Sequence, residues 1–146
     1  ERAIRLNREN AGKHAICVFM DLDHLKEIND TFGHSQGDIA LLAVSDILKQ
    51  TVRNNDLVAR IGGDEFVGMF IIDTPEYDNI FRTRLQKSFT AFNKTSGLPY
   101  YVEASVGIAH FTCNQGLEIS KIVNDADRYL YEAKRHKRPC AIRKTD

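Results

Sequence analysis

The run Ala15-Ile16-Cys17-Val18-Phe19-Met20, closed by Asp21-Leu22-Asp23, constrains the fold more than any other stretch of the chain. A short, unbroken apolar segment rich in β-branched and aromatic residues predicts a strand buried on both faces. Such a strand belongs inside a sheet that other elements cover. The chain's 146 residues suit one domain, spanning 1–146, with a core of ordinary size.

The rest of the sequence supplies the cover. Residues 1–12 read as the end of a helix that Gly12 stops. After the buried strand, Asp23 is placed to cap a short helix whose inner face is Leu25, Ile28 and Phe32, and Gly33 terminates it. From about Gln36, Leu41, Val44, Leu48 and Val52 recur at helical spacing until Asn54-Asn55. Strands near 57–61 and 66–72 flank Gly62-Gly63 as a hairpin. Pro75 opens a helix with a core stripe of Tyr77, Phe81, Leu85, Phe89 and Phe92. The segment 100–111 alternates as a strand with one apolar face, 119–135 presents Ile122, Ala126, Leu130 and Ala133 as a last helix, and Ala141-Ile142 could form an edge strand. This order predicts an α+β fold with a central, largely antiparallel sheet covered by helices. The hairpin is expected beside the first strand, bringing two acidic strand ends together at one edge of the sheet.

Charge excludes some partners. The 20 Lys and Arg equal the 20 Asp and Glu, so no overall field favours a nucleic acid polymer or a membrane surface. Cys17, Cys113 and Cys140 lack metal-ligand spacing and suit a reducing cytoplasm. With no apolar stretch of spanning length or signal-peptide core, a cytoplasmic location is expected, although the parent protein could be membrane-anchored. The chain opens without Met, which suggests a piece of a larger signalling protein.

Two places carry chemistry. Glycine at 62 and 63 permits positive φ and close backbone approach, while Asp64 and Glu65 beside them can hold a hard cation. An isolated Gly-Gly-Asp turn would only reverse a hairpin. Asp21 shifts the balance, because an unpaired carboxylate ending a buried strand is costly and a metal would compensate it. Magnesium, which takes a few carboxylates together with carbonyl, water and phosphate oxygens, fits Asp21, a nearby carbonyl and a hairpin carboxylate.

The segment Asp21-Leu22-Asp23-His24-Leu25-Lys26-Glu27-Ile28-Asn29-Asp30-Thr31-Phe32-Gly33-His34 is followed by Gly37-Asp38 and by Ala59-Arg60-Ile61-Gly62-Gly63-Asp64-Glu65-Phe66. With Ser105-Val106-Gly107-Ile108-Ala109, Ala126-Asp127 and Leu130-Tyr131-Glu132-Ala133-Lys134, these residues resemble the GGDEF family of diguanylate cyclases from about residue 14 to the end. The resemblance implies the nucleotidyl cyclase or ferredoxin-like palm fold. It also implies an enzyme that condenses two GTP into cyclic di-GMP and two pyrophosphates, across a homodimer, by metal-assisted attack of a ribose 3′-hydroxyl on the α-phosphate.

Carried over residue by residue, Asp21 and Asp64 would bind Mg²⁺, or Mn²⁺ in its place, with the Leu22 carbonyl, and Glu65 would assist the metal or proton transfer. Gly62 and Gly63 would let the hairpin lie against the nucleotide. Asn29 and Asp38 would hydrogen-bond guanine, whose N1–H and N2 amino donors a carboxylate accepts. Lys26 and the amides of His24 and Leu25 would face phosphate at a helix start, and Lys134 and Arg138 would grip the triphosphate. Here the chain departs from the family pattern, with Lys137 in place of glycine and Pro139 in place of asparagine. His24 and His34 do not occupy the position of a general base. Arg53 and Asp56, five residues ahead of the glycine pair in the family's register, would form an inhibitory product site, completed by Arg84 or Arg82. The rival reading is a catalytically inactive member that binds GTP or cyclic di-GMP as a regulatory module.

Overall fold

A computed structural model of the chain describes residues 1–54, 56–137 and 139–144. The elements run α1 (Arg2–Glu9), β1 (His14–Leu22), α2 (Leu25–Phe32), α3 (His34–Thr51), β2 (Leu57–Arg60), β3 (Glu65–Ile71), α4 (Tyr77–Thr95), β4 (Ala104–Thr112) and α5 (Ile119–Lys134). The apolar run is β1, the second-from-edge strand of an antiparallel sheet ordered β2-β3-β1-β4. Its neighbours pair with Asp21 opposite Glu65 on one side and Ser105 on the other.

Strand periodicity divides the core in two. Ile16, Val18, Met20 and Leu22 enter one cluster with residues of α2, α3 and α4, including Ile28, Val44, Phe81 and Leu85. Ala15, Cys17 and Phe19 enter the other, with Leu6 of α1 and Ile122, Ala126 and Leu130 of α5. The expected α+β sandwich is present, with helices on both faces. Continuing the odd series puts Asp21 on the α5 face. The cluster of acids forms where β1 and β3 leave the sheet, at the strands' ends and not along a lateral edge.

Several local expectations change. β4 is not apolar on one face only: Ser105 is fully buried and Gly107 lies beneath α5, so both faces are covered. A Cβ on Gly107 would stand 2.1 Å from the Ala126 carbonyl oxygen and 2.2 Å from the Leu130 nitrogen, which makes this glycine the seat of α5 on the sheet. Gly33, at φ 94°, ends α2 and also opens α3, which begins at His34 and not at Gln36. The 141–142 segment makes a single bridge, Tyr100 to Ile142, because Tyr100 precedes β4 and is outside the main ladder.

Candidate active site

The hairpin folds as expected, with Ile61 N–H donating to the Glu65 carbonyl at 3.0 Å. One of the two expectations for its glycines changes. Neither Gly62 nor Gly63 has positive φ, so backbone handedness does not require them. Steric room does distinguish them: a Cβ at 62 would lie 3.2 Å from Glu65 Oε2, whereas at 63 it would meet nothing within 4 Å. Gly63 therefore presents bare backbone outward, and Arg60 steadies the turn by donating to the carbonyls of Gly62 and Gly63 at 3.2 and 3.1 Å.

The end of β1 meets this hairpin. Leu22 N–H donates to the Asp64 carbonyl at 3.2 Å, and the Asp64 carboxylate lies beside that of Asp21. Burial pushes the Asp21 carboxyl up to about 6; the hydrogen bond from Lys134 opposes the rise and Asp64 adds to it. Lys134 Nζ stands 2.7 Å from Asp21 Oδ2, while Asp21 Oδ1 is buried with no hydrogen-bond partner. A buried carboxylate with an orphaned oxygen, set beside a second carboxylate, fits a hard divalent cation. Among the described residues no three His, Cys, Asp or Glu side chains converge to hold a metal.

Asp23 does not cap α2. His24 occupies the cap position in the left-handed region at φ 62°, with no side-chain cap bond. Asp23, on the same sheet face as Ser105, instead accepts the Ser105 hydroxyl at 2.6 Å. The Ser105 hydroxyl across the ladder satisfies Asp23 Oδ1, and Oδ2 is buried without a hydrogen-bond partner among the described residues. His24 and Leu25 lie half-buried at the start of α2, Lys26 is exposed in its first turn, and His34 is exposed at the start of α3.

Asn29 and Asp38 lie on the α2–α3 pair. Asn29 Oδ1 is buried without a partner, and a Cβ on Gly37 would fall 1.8 Å from it. Gly37 thus makes the space for the Asn29 carboxamide, next to the exposed Asp38. Its place in the Gly37-Asp38 pair was visible in sequence; the close contact was not. Arg138 lies outside the described residues, so its pairing with Lys134 is not described.

The Arg53–Asp56 turn sits at the opposite end of β3, about 20 Å from Glu65 by strand rise. Asp56 accepts the Arg53 N–H at 2.8 Å and faces its guanidinium at 3.5 Å. That guanidinium also donates to the Ile71 carbonyl at 2.5 Å and stacks 4.9 Å from the Tyr77 ring centroid. Beside it a cleft of about 530 Å³ is lined by Arg2, Arg5 and Lys13 as well as Arg53, with Glu9, Asp56 and Asp73 also on its wall and Glu9 paired with Arg5. Arg84, exposed on α4, is not among its lining residues, and Arg82 donates to the Val106 carbonyl at 3.3 Å. The cations across this cleft come from α1 and its following turn.

The family profile described as "Diguanylate cyclase, GGDEF domain" matches residues 1–140. The chain belongs to the GGDEF family of diguanylate cyclases. The match embraces nearly all of this GGDEF domain. It is 36% identical over 141 residues to Diguanylate cyclase A of Treponema denticola, covering 94% of this chain and 38% of that protein. Probable diguanylate cyclase DgcT of Escherichia coli is 38% identical over 130 residues, covering 86% of the chain and 28% of its own length. The domain thus spans well under half of these relatives. Among solved structures, the GGDEF domain of TpbB (YfiN) from Pseudomonas aeruginosa superposes with a TM-score of 0.77 at 30% identity, over 94% of this chain and 80% of that one. The palm-like GGDEF fold is therefore present. Among the described residues, no helix of the domain is long and apolar enough to cross a membrane.

Proposed function

We propose that this GGDEF domain condenses two GTP molecules into cyclic di-GMP and two pyrophosphates, one nucleotide being held by each of two facing copies. The observation that carries the reading is the buried, unpartnered Asp21 Oδ1 beside Asp64, at the end of strands that also carry Gly63's bare backbone and Glu65. Asp21, Asp64 and the Leu22 carbonyl would hold Mg²⁺ or Mn²⁺. Bound there, the cation would activate a ribose 3′-hydroxyl and screen charge on the α-phosphate.

The chain's own groups do the rest. Gly62 and Gly63 admit the nucleotide against the hairpin, and Glu65, bent back over Gly62, is placed to assist the metal or take the proton. Asn29 and Asp38 select guanine by accepting its donors. The His24 and Leu25 amides, Lys26, Lys134 and Arg138 neutralise phosphate. Lys134 must then exchange Asp21 for substrate. Incubating the purified domain with GTP and Mg²⁺ over a range of protein concentration tests the reading: cyclic di-GMP is expected, at a specific activity that rises with concentration. GTP or cyclic di-GMP binding without product, even in an enforced dimer, would leave a regulatory binding module.

The metal assignment has a separate signature. Asp21 titrates near 6 in the folded domain against an ordinary value of 3.8, so the folded state holds this proton more tightly. Stability is therefore lost as pH rises from about 4 to about 6, and the cost of the ionised carboxylate is complete above that window. A cation on the ionised group offsets the cost. Mg²⁺ is expected to raise the melting temperature by a few degrees at pH 7.5 and by much less at pH 5; equal gains at both would remove Asp21 from the ligand set.

Arg53 and Asp56 are proposed to bind the product as a feedback site, with α1 supplying the facing cations. Arg53→Ala should raise the cyclic di-GMP concentration for half-inhibition by about tenfold or more, the loss of a charge-assisted bond. Unchanged inhibition curves would discard this site.

A further inference from the structure

Three carboxylates of the segment from the end of β1 into α2 are fastened, in step, to the end of α5 and the residues beyond. Asp21 takes Lys134 at 2.7 Å. Asp23 Oδ2 faces Lys137 Nζ at 3.7 Å, and that ammonium donates to the Ala104 carbonyl at 3.1 Å. Glu27 accepts the Ala141 N–H at 3.1 Å and the Cys140 thiol at 2.8 Å. The contacts advance in the same order along both segments, so the two lie alongside one another.

The three fasteners differ in what holds them. Lys134 is the one that substrate would draw away. Asp23 is buried and held by Ser105 through Oδ1, while Lys137 is anchored on β4 by the Ala104 carbonyl and pairs in charge with Asp23 Oδ2, which accepts no hydrogen bond among the described residues. Glu27 spends both oxygens on the C-terminal segment and also lies 3.6 Å from His24 Nδ1, bracing the left-handed residue that opens α2. Those two contacts join the phosphate-facing start of α2 to the segment that carries Lys134.

We propose that Glu27 and Lys137 are positioning residues for the nucleotide: they keep the Lys134 segment against the β1–α2 connection when Lys134 leaves Asp21. The inference rests on the nucleotide-binding reading above. Lys134 is the last residue of α5, and a lysine at a fraying helix end would have to be ordered by the ligand, with that ordering subtracted from affinity. Bracing by groups that make no contact with phosphate removes the cost beforehand.

The test measures equilibrium binding of α,β-methylene-GTP with Mg²⁺, and of guanosine, to the purified domain and its E27Q, K137M and K137R variants. Gln at 27 keeps one acceptor and turns an amino group towards donors, so its brace fails. E27Q and K137M are expected to weaken the triphosphate analogue about tenfold or more while leaving guanosine unchanged, and K137R to stay within a few-fold of wild type. A general loss of structure would weaken both ligands. Cys140, the exposed thiol where Cys17 and Cys113 are buried, reports the brace directly. Its reaction with an aromatic disulfide should quicken about tenfold in E27Q. Wild-type analogue affinity in E27Q and K137M, or an unchanged Cys140 rate in E27Q, would overturn the inference alone. A wild-type domain that ignores the analogue would overturn the nucleotide reading, and the positioning role with it.

Discussion

Asp64→Ala is expected to lower cyclic di-GMP formation by at least about a hundredfold while the domain stays folded. The loss follows from removing one of two carboxylates placed for the cation, at a point where phosphate charge develops. Retention of the fold follows from the same geometry. Asp64 is half-buried in the turn, and beside Asp21 it raises that carboxyl further. Removing it relieves a like-charge contact. Thermal melting without Mg²⁺ should therefore show a midpoint no lower than wild type, and the Mg²⁺-dependent gain should disappear. Full turnover in this variant would reject the catalytic assignment, and a collapsed melting curve would reject the electrostatic one.

Gly107→Ala is expected to destabilise the domain by about 3 kcal/mol or more, measured as a lower denaturant midpoint. The added methyl would meet the backbone of α5 at three atoms, the Ala126 carbonyl oxygen and the nitrogen and Cα of Leu130, and none can rotate aside as a side chain would. The helix must lift from β4. Because Lys134 reaches Asp21 from the end of that helix, the displacement should also weaken triphosphate binding in whatever fraction remains folded. Gly63→Ala is the stability control, since a methyl there meets nothing within 4 Å. A Gly107→Ala midpoint equal to that control would contradict the close packing.

Much of this was legible in advance. The helical stripes of α3 and α4 and the buried run of β1 were read from spacing, because burial imposes periods that composition displays directly. The hairpin is legible from its glycines, and of the two reasons they offer the turn does not use positive φ, while the bare backbone they leave is present. Asp23 was misread because local rules favour a short acid before a helix, whereas its partner, Ser105, is 82 residues away in sequence. Glu27 carried no signal at all, since its partners lie in a segment with no pattern of its own. Lys137 stood out only as a departure from the family pattern.

By itself, the sequence determined the element order, the two-sided burial of β1 and the set of acids and glycines suited to metal and phosphate chemistry, because those depend on residue type and short-range spacing. Only the tertiary structure decided which of them meet. Strand register put Asp21 opposite Glu65 and on the α5 face, and the absence of a side chain at Gly107 let α5 descend far enough for Lys134 to reach it. Register and close approach arise from packing between distant segments, where a single methyl group sets whether two charges touch.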